Sequence, residues 1–254
     1  MKRVYRKAIS LLIVLLCVVV WEAAFQAKLL NSIIFGSPSL IWKAIRVDGL
    51  TFLQAMQITT FEVVVAIMIS WSFGIAFGVL AGAYDFAGRV FAPFVSALIA
   101  CPLVVLYPIL MAWLGIGPVS KIAFGVLLGA FPIMQSTMVG VQAIDQGYMT
   151  MAKAMGASSF QRLSQVMVPL ALPSVMGGLR LGTSLVIAGV VLTEMLASTD
   201  GLGFWISYNR TLFNTGQVYL GIALALVLTA VANAALSSVE RRLGRWQALQ
   251  QEAA

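Results

Sequence analysis

Apolar residues run through this chain in long blocks free of charge, and polar positions gather between the blocks. A helix of ~20 apolar residues crosses the ~30 Å hydrocarbon core of a bilayer, so each block reads as a transmembrane span. Ala8 to Trp21 opens the first block and Val63 to Tyr84 forms a second. Val90 to Ser120 is too long for one crossing, and the cluster of Gly115, Gly117 and Pro118 places its turn near Leu114. Leu172 to Ala197 and Gln217 to Ser238 supply the last two blocks. The pattern predicts about six spans, at residues 8–27, 61–83, 92–113, 119–141, 172–197 and 217–238. Between the fourth and fifth, Asp145 to Pro173 forms a long polar interruption.

Composition agrees with that pattern. Of 254 residues, 61% are hydrophobic and 10% charged, against roughly 25% charged in an ordinary soluble domain. An all-α polytopic membrane protein is expected, with one transmembrane domain over residues 1–254. The chain has no histidine, which removes His-ligated haem, His-Glu-x-x-His zinc sites and Ser-His or Cys-His nucleophile pairs. No catalytic residue and no metal ligand is nominated. Cys17 and Cys101 both fall in apolar runs and are expected to be small buried hydrophobes without a disulfide. Lys2, Arg3, Arg6 and Lys7 precede the first block as in a signal peptide, but no small-x-small cleavage site follows, so a retained anchor helix is expected.

The basic residues orient the chain. With the N-terminus in the cytoplasm, Lys2, Arg3, Arg6, Lys7, Arg89, Lys153, Arg162, Arg180, Arg241, Arg242 and Arg245 collect on that side. Lys28, Lys43, Arg46, Lys121 and Arg210 fall outside, so the distribution obeys the positive-inside rule. Both termini and the polar interruption are therefore expected in the cytoplasm. The net charge of +7 describes topology, and nucleic acid is not an expected partner.

The interruption has its own grammar. Tyr148, Met151, Ala152 and Met155 recur at helical spacing and predict one mostly apolar face on a two-turn helix. Gly156 ends that helix, as a residue that tolerates left-handed conformations at a C-terminal cap. Ser158 and Gln161 have the spacing of a capping box and predict a second helix, with Phe160, Leu163 and Met167 on one face. Ala152, Ala154, Gly156 and Ala157 are expected to keep the outer surface small. On periodicity alone, an ordinary interfacial amphipathic loop reads equally well.

These residues resemble a known family. Ala152-Lys153-Ala154-Met155-Gly156-Ala157, followed by Pro169 and Pro173, looks like the EAA loop of permease subunits of ATP-binding cassette importers. Phe35-Gly36-Ser37-Pro38-Ser39, Trp113-Leu114-Gly115-Ile116-Gly117, Gly178-Leu179-Arg180, Glu194-Met195 and Gly201-Leu202-Gly203 resemble the nitrate/sulfonate/taurine branch. The resemblance implies a type I importer permease of MetI-like fold, with residues 145–171 as a cytoplasmic coupling-helix loop. It implies a homodimer in the bacterial inner membrane, ATP-binding cassette ATPase subunits that seat the loops, and a periplasmic solute-binding protein that delivers an oxyanion such as a sulfonate, taurine or nitrate. ATP and magnesium would be used by the ATPase, and the chain has no phosphate-binding loop of its own. Thr150, Ala152, Lys153, Ala154, Gly156, Ala157 and Pro169 are the coupling candidates. The acid that names the EAA loop is replaced by Thr150, so docking is expected to lean on shape and apolar contact.

Further residues are weighed for pathway and packing roles. Ser70, Gly74, Gly78 and Gly82, and likewise Gly125 and Gly129, form small-residue stripes expected to pack helices within one subunit. Glu194 is expected to bond to Lys121 or Arg210, or to line an outer gate with Thr193, Ser184 and Thr183. Ser96, Ser136 and Thr137 are further hydroxyls within spans, although a carbonyl one turn back is the commoner partner of such groups. Glu22 and Glu62 are expected to be solvated at span ends, and Arg180 to snorkel. Pro102 and Pro108 should bend the third span. The rival readings are a stand-alone channel or secondary transporter, an intramembrane enzyme, and the same importer type for a vitamin precursor or aromatic carboxylate.

Overall fold

The computed structural model describes residues 2–252, and of residues 2–8, 10, 11, 14, 85 and 242–252 it describes the backbone alone. The side chains of Lys2, Arg3, Arg6, Lys7, Arg242 and Arg245, which the orientation argument uses, thus lie outside the described residues. Ten α-helices follow one another among the described residues: α1 (Lys2–Gln26), α2 (Pro38–Ala83), α3 (Asp85–Ala100), α4 (Tyr107–Leu114), α5 (Pro118–Gln142), α6 (Gln146–Ala154), α7 (Ser159–Gln161), α8 (Val168–Leu196), α9 (Gly201–Thr211) and α10 (Thr215–Glu252). Four stretches are long and apolar enough to cross a membrane as single helices: Pro38–Ala83, Pro118–Gln142, Ser159–Leu196 and Thr215–Arg241. Phe86–Ala100 and Leu103–Leu114 make a fifth as a bent pair. The span expected at 8–27 falls on α1, whose apolar described portion is Leu15–Gln26.

Three elements differ from the expected spans. Helix α2 begins at Pro38, far before residue 61. Ser37 starts it by accepting from Leu40 N at 3.2 Å, and Pro38 at the first helical position forfeits no intrahelical bond. Its 46 residues carry it well beyond one bilayer crossing, and charges at Lys43, Arg46, Asp48 and Glu62 had hidden that continuity. The third span is broken, with its two limbs bent by 87° at Cys101 and Pro102. Pro102 lies at the break as expected, whereas Pro108 sits in the first turn of α4, where a missing N–H costs nothing. Between α7 and α8, Arg162–Met167 forms a wider π-turn, so the second helix of the polar interruption runs straight into the fifth span.

The chain divides into two compact units. The first comprises Met1–Thr59 and Glu194–Val227. Its core is Ala44, Phe52, Ala55, Leu202 and Leu220, with Trp205 packed against Phe52. Here Gly36 lies against the Tyr219 ring, and its carbonyl accepts from Trp21 Nε1 at 3.0 Å. The second unit comprises Thr60–Thr193 and Leu228–Ala254, around Val79, Ile133, Val141, Ala171, Val175, Met176, Leu179 and Leu236.

Small residues set the helix spacing in the second unit. A methyl added at Gly74 would come within 2.7 Å of Ile133, at Gly78 within 2.6 Å of Thr137, and at Gly82 within 2.7 Å of Val141. The stripe on α2 therefore packs along α5 of the same chain. Gly125 faces Val190, and Gly129 faces the backbone of Gly182 on α8. In lipid, where apolar tails solvate Leu as well as protein does, such close approach is the main source of helix association.

Cys17 and Cys101 are free and exposed, which corrects the expectation that both are buried. A membrane helix is apolar all round, so an apolar run says nothing about which face turns inward. Large apolar side chains such as Leu12, Leu15, Phe73 and Leu226 are exposed for the same reason.

Candidate functional site: the coupling loop and the buried acids

The polar interruption is a tightly capped double turn. Asp145 caps α6 by accepting from Gly147 N at 2.6 Å. At the other end Gly156 takes a φ of +78°, with Gly156 N donating to Lys153 O and Ala157 N to Ala152 O, both at 3.0 Å. That pair of bonds is a Schellman cap, and the left-handed residue at its centre suits glycine. The expected capping box is present: Ser158 Oγ accepts from Gln161 N and Gln161 Oε1 accepts from Ser158 N, at 3.2 and 2.8 Å. The backbone of the loop is thus fixed by its own hydrogen bonds.

The side chains divide between core and surface. Met149 and Ala152 are buried, and Ile144, Leu163 and Met167 pack against the core of the second unit. Tyr148, Met151, Met155 and Phe160 point outward, exposed by 55, 64, 81 and 76%. The outer surface is therefore made of large apolar side chains, where small residues had been expected, and Ala152 faces in. Helical spacing had grouped Tyr148, Met151, Ala152 and Met155 correctly but could not say which edge of the group is covered. Lys153, Ala154 and Gly156 are exposed and Ala157 half-buried. Thr150 is exposed with its hydroxyl donating to Gln146 O at 3.0 Å, and Pro169 is exposed in the first turn of α8. Ala83, Tyr84, Met149, Phe160, Arg162 and Met167 line part of a cavity of about 410 Å³ at the base of the loop.

Glu194 caps a helix. Asp200 precedes α9 without a side-chain cap, and the first N–H groups of α9 look elsewhere. Gly203 N donates to Glu194 Oε2 at 2.8 Å and Leu202 N to Thr59 Oγ1 at 2.8 Å, while the Thr59 hydroxyl donates to Glu194 Oε1 at 2.7 Å. A buried carboxylate at a helix N-terminus meets both the orphan donors and the positive end of the dipole. Gly201, with φ +92°, closes the turn against this carboxyl, and an added Cβ would collide with it. Glu194→Leu is therefore expected to lower stability by about 1–3 kcal/mol for each polar group left unpaired. Thermal unfolding in detergent checks this, and an unchanged midpoint would mean that the carboxylate has no capping role.

The other gate candidates bond within the second unit. Thr193 donates to Val190 O at 2.8 Å and Ser184 to Arg180 O at 3.2 Å, while Thr183 accepts from Trp71 Nε1 at 3.1 Å. Thr183, Ser184 and Thr193 belong to the second unit and Glu194 to the first.

Glu62 and Lys121 form a buried ion pair at 2.6 Å, each side chain 1% exposed. Glu62 is not solvated at a span end, because α2 continues for 24 residues before it. Lys121 finds an acid there in Glu62, where Glu194 had been one expected partner. Arg180 pairs at 2.6 Å with Glu240, both about half exposed, and Glu22 accepts from Gln26 Nε2 and Ser39 N. Among the described residues, no group of three or more His, Cys, Asp or Glu side chains is placed to hold a metal.

The family of binding-protein-dependent transport system inner membrane components matches residues 74–245. The chain belongs to this family. It is a permease of the importer class, and its all-α fold is the MetI-like one. It is 34% identical over 160 residues to the riboflavin transport system permease protein RibX of Chloroflexus aurantiacus, covering 63% of this chain and 60% of that protein. It is 27% identical over 234 residues to the taurine transport system permease protein TauC of Escherichia coli, covering 89% and 85%. With the formylaminopyrimidine transport permease protein ThiX of Halalkalibacterium halodurans it shares 28% identity over 249 residues, covering 97% and 99%. A chain of the MetNI methionine ABC transporter in an inward-facing conformation matches with a TM-score of 0.66 at 19% identity, over 82% of this chain and 99% of that one. The family match takes in the small-residue stripe from Gly74 onward, Lys121, the capped loop and Glu194, while Thr59 and Glu62 of the permease lie before it.

Proposed function

We propose that two copies of this permease form a pathway for a small oxyanion, such as a sulfonate, taurine or nitrate, handed over by a periplasmic solute-binding protein. A cytoplasmic ATPase binds ATP and magnesium and drives the cycle, while the permease binds neither and catalyses nothing. Both termini and the loop at 145–171 lie in the cytoplasm. The observation that carries this reading is the self-capped loop that offers Tyr148, Met151, Met155 and Phe160 to a partner. A channel has no use for such a rigid apolar knob. Thr150, Lys153, Ala154, Gly156, Ala157 and Pro169 lie on or beside it, and Ala152 supports it from within. Docking by apolar contact leaves a weak dependence on salt, because exposed ion pairs contribute only about 0–1 kcal/mol.

A second reading of the cargo has its own support. Relatives named for riboflavin and formylaminopyrimidine match as well as the one named for taurine, which favours a flat heterocyclic vitamin or precursor. Copurification with an ATPase, followed by ATP-dependent uptake into proteoliposomes, tests the importer. Passive conduction without nucleotide would replace it with the channel. Ligand binding by the cognate periplasmic protein decides between the two cargoes.

A further inference from the structure

The buried ion pair stands at a junction that the transport reading leaves unused. Lys121 lies in the first turn of α5, where the helix dipole disfavours a cation, and a buried ammonium is tolerable only beside an acid. One turn on, Phe124 packs against Tyr107 with ring centroids 5.5 Å apart, and both rings are fully buried. Tyr107 also hydrogen-bonds with the side chains of Ser120 and Thr193. Tyr107 opens α4, one short turn (Leu103–Leu106) after the break in the bent span. The beginning of α5 therefore holds α2 by charge and the returning limb of the bent span by an aromatic contact. Elsewhere that limb turns outward, with Val105, Trp113 and Leu114 exposed.

We infer that Glu62 and Lys121 are positioning residues whose ion pair fixes the start of α5 against α2 and so sets the Phe124–Tyr107 contact that latches the returning limb, residues 103–114, against α5. The other end of α5, about 32 Å from Lys121 at 1.5 Å per residue, is Gln142, three residues before the Asp145 cap. One helix thus joins the latch to the coupling loop. An apolar pair of equal volume would pack at least as stably as a buried ion pair. A charged pair adds an orientation-dependent contact that breaks as a unit when the start of α5 moves off α2. The link to the loop rests on the importer reading, whereas the latch itself rests on this geometry alone.

Cys101 reports on the limb, since it is exposed at the break and Cys17 is the chain's other cysteine. In a Cys17→Ser background, the rate of Cys101 labelling by N-ethylmaleimide is measured on the full-length chain in membranes, without and with its ATPase. Glu62→Gln and Lys121→Met are each expected to raise the rate at least fivefold. The reversed pair Glu62→Lys with Lys121→Glu, which puts an acid at the helix start, should return it to within twofold. Folded single variants that label at the parental rate would overturn the latch. If the single variants do not fold, Glu62→Leu with Lys121→Leu restores packing without charge. Faster labelling of that double variant supports the latch, and an unchanged rate overturns it. A labelling change that ignores ATP in the complete assembly leaves the latch standing and removes its link to the coupling loop.

Discussion

Gly156→Pro is expected to leave the permease inserted in the membrane and to abolish both transport and the stimulation of ATP hydrolysis by loaded binding protein. The residue sits at φ +78° and donates its N–H to Lys153 O. Proline holds φ near −65° and has no N–H, so the Schellman turn cannot form with it. Nothing lies within 4 Å of a Cβ built at this position, so the effect is one of backbone direction and involves no clash. Gly156→Ala therefore provides a graded control. It retains the N–H and bears the ~1–2 kcal/mol cost of an L-residue in the left-handed region, so stimulation should fall in part. The readout is ATPase activity in proteoliposomes with saturating binding protein and ligand. Full stimulation of the proline variant would show that the exit from α6 does not transmit force.

The second large effect belongs to the seam between α2 and α5. Gly78→Leu should strip most of the folded permease from membranes. A Cβ there would stand 2.6 Å from Thr137 Cβ and 2.7 Å from Met134 O. The carbonyl is backbone and cannot rotate away, so the helices must separate, and dispersion contacts are lost along the whole stripe. Overpacking costs about 1–3 kcal/mol in a yielding core, and the backbone neighbour puts this site at the upper end. Gly49→Leu on the same helix is the control, since its added Cβ would meet only Ile45 Cγ2 at 3.9 Å. Detergent-extracted yield and unfolding temperature give the comparison. Equal values for the two variants would remove the seam as a determinant of folding.

Legibility in the sequence followed the strength of local signals. Ser158, Gln161 and Gly156 announced their roles because caps and left-handed turns are decided within a few residues. The stripe from Ser70 to Gly82 was equally plain, because lipid makes small residues informative. Directions were harder. Whether Met151 or Ala152 faces the core depends on how a two-turn helix is seated, which is set by Ile144, Leu163 and Met167 elsewhere in the chain. The partners of Glu62 and Glu194 were hidden for a related reason. Glu62 meets Lys121 across 59 positions and Glu194 meets Thr59 across 135. Charge in an apolar helix signals that a partner exists, but only the packing of helices says which one.

The uncovered face of the loop exposes the subunit to damage by oxidants. Met151 and Met155 are among its most exposed apolar side chains, and conversion of a thioether to the sulfoxide makes it polar. Once a partner covers them, oxidants cannot reach the sulfurs. A subunit made in excess therefore carries a chemical record of having waited, and methionine sulfoxide reductases would be needed before it could dock.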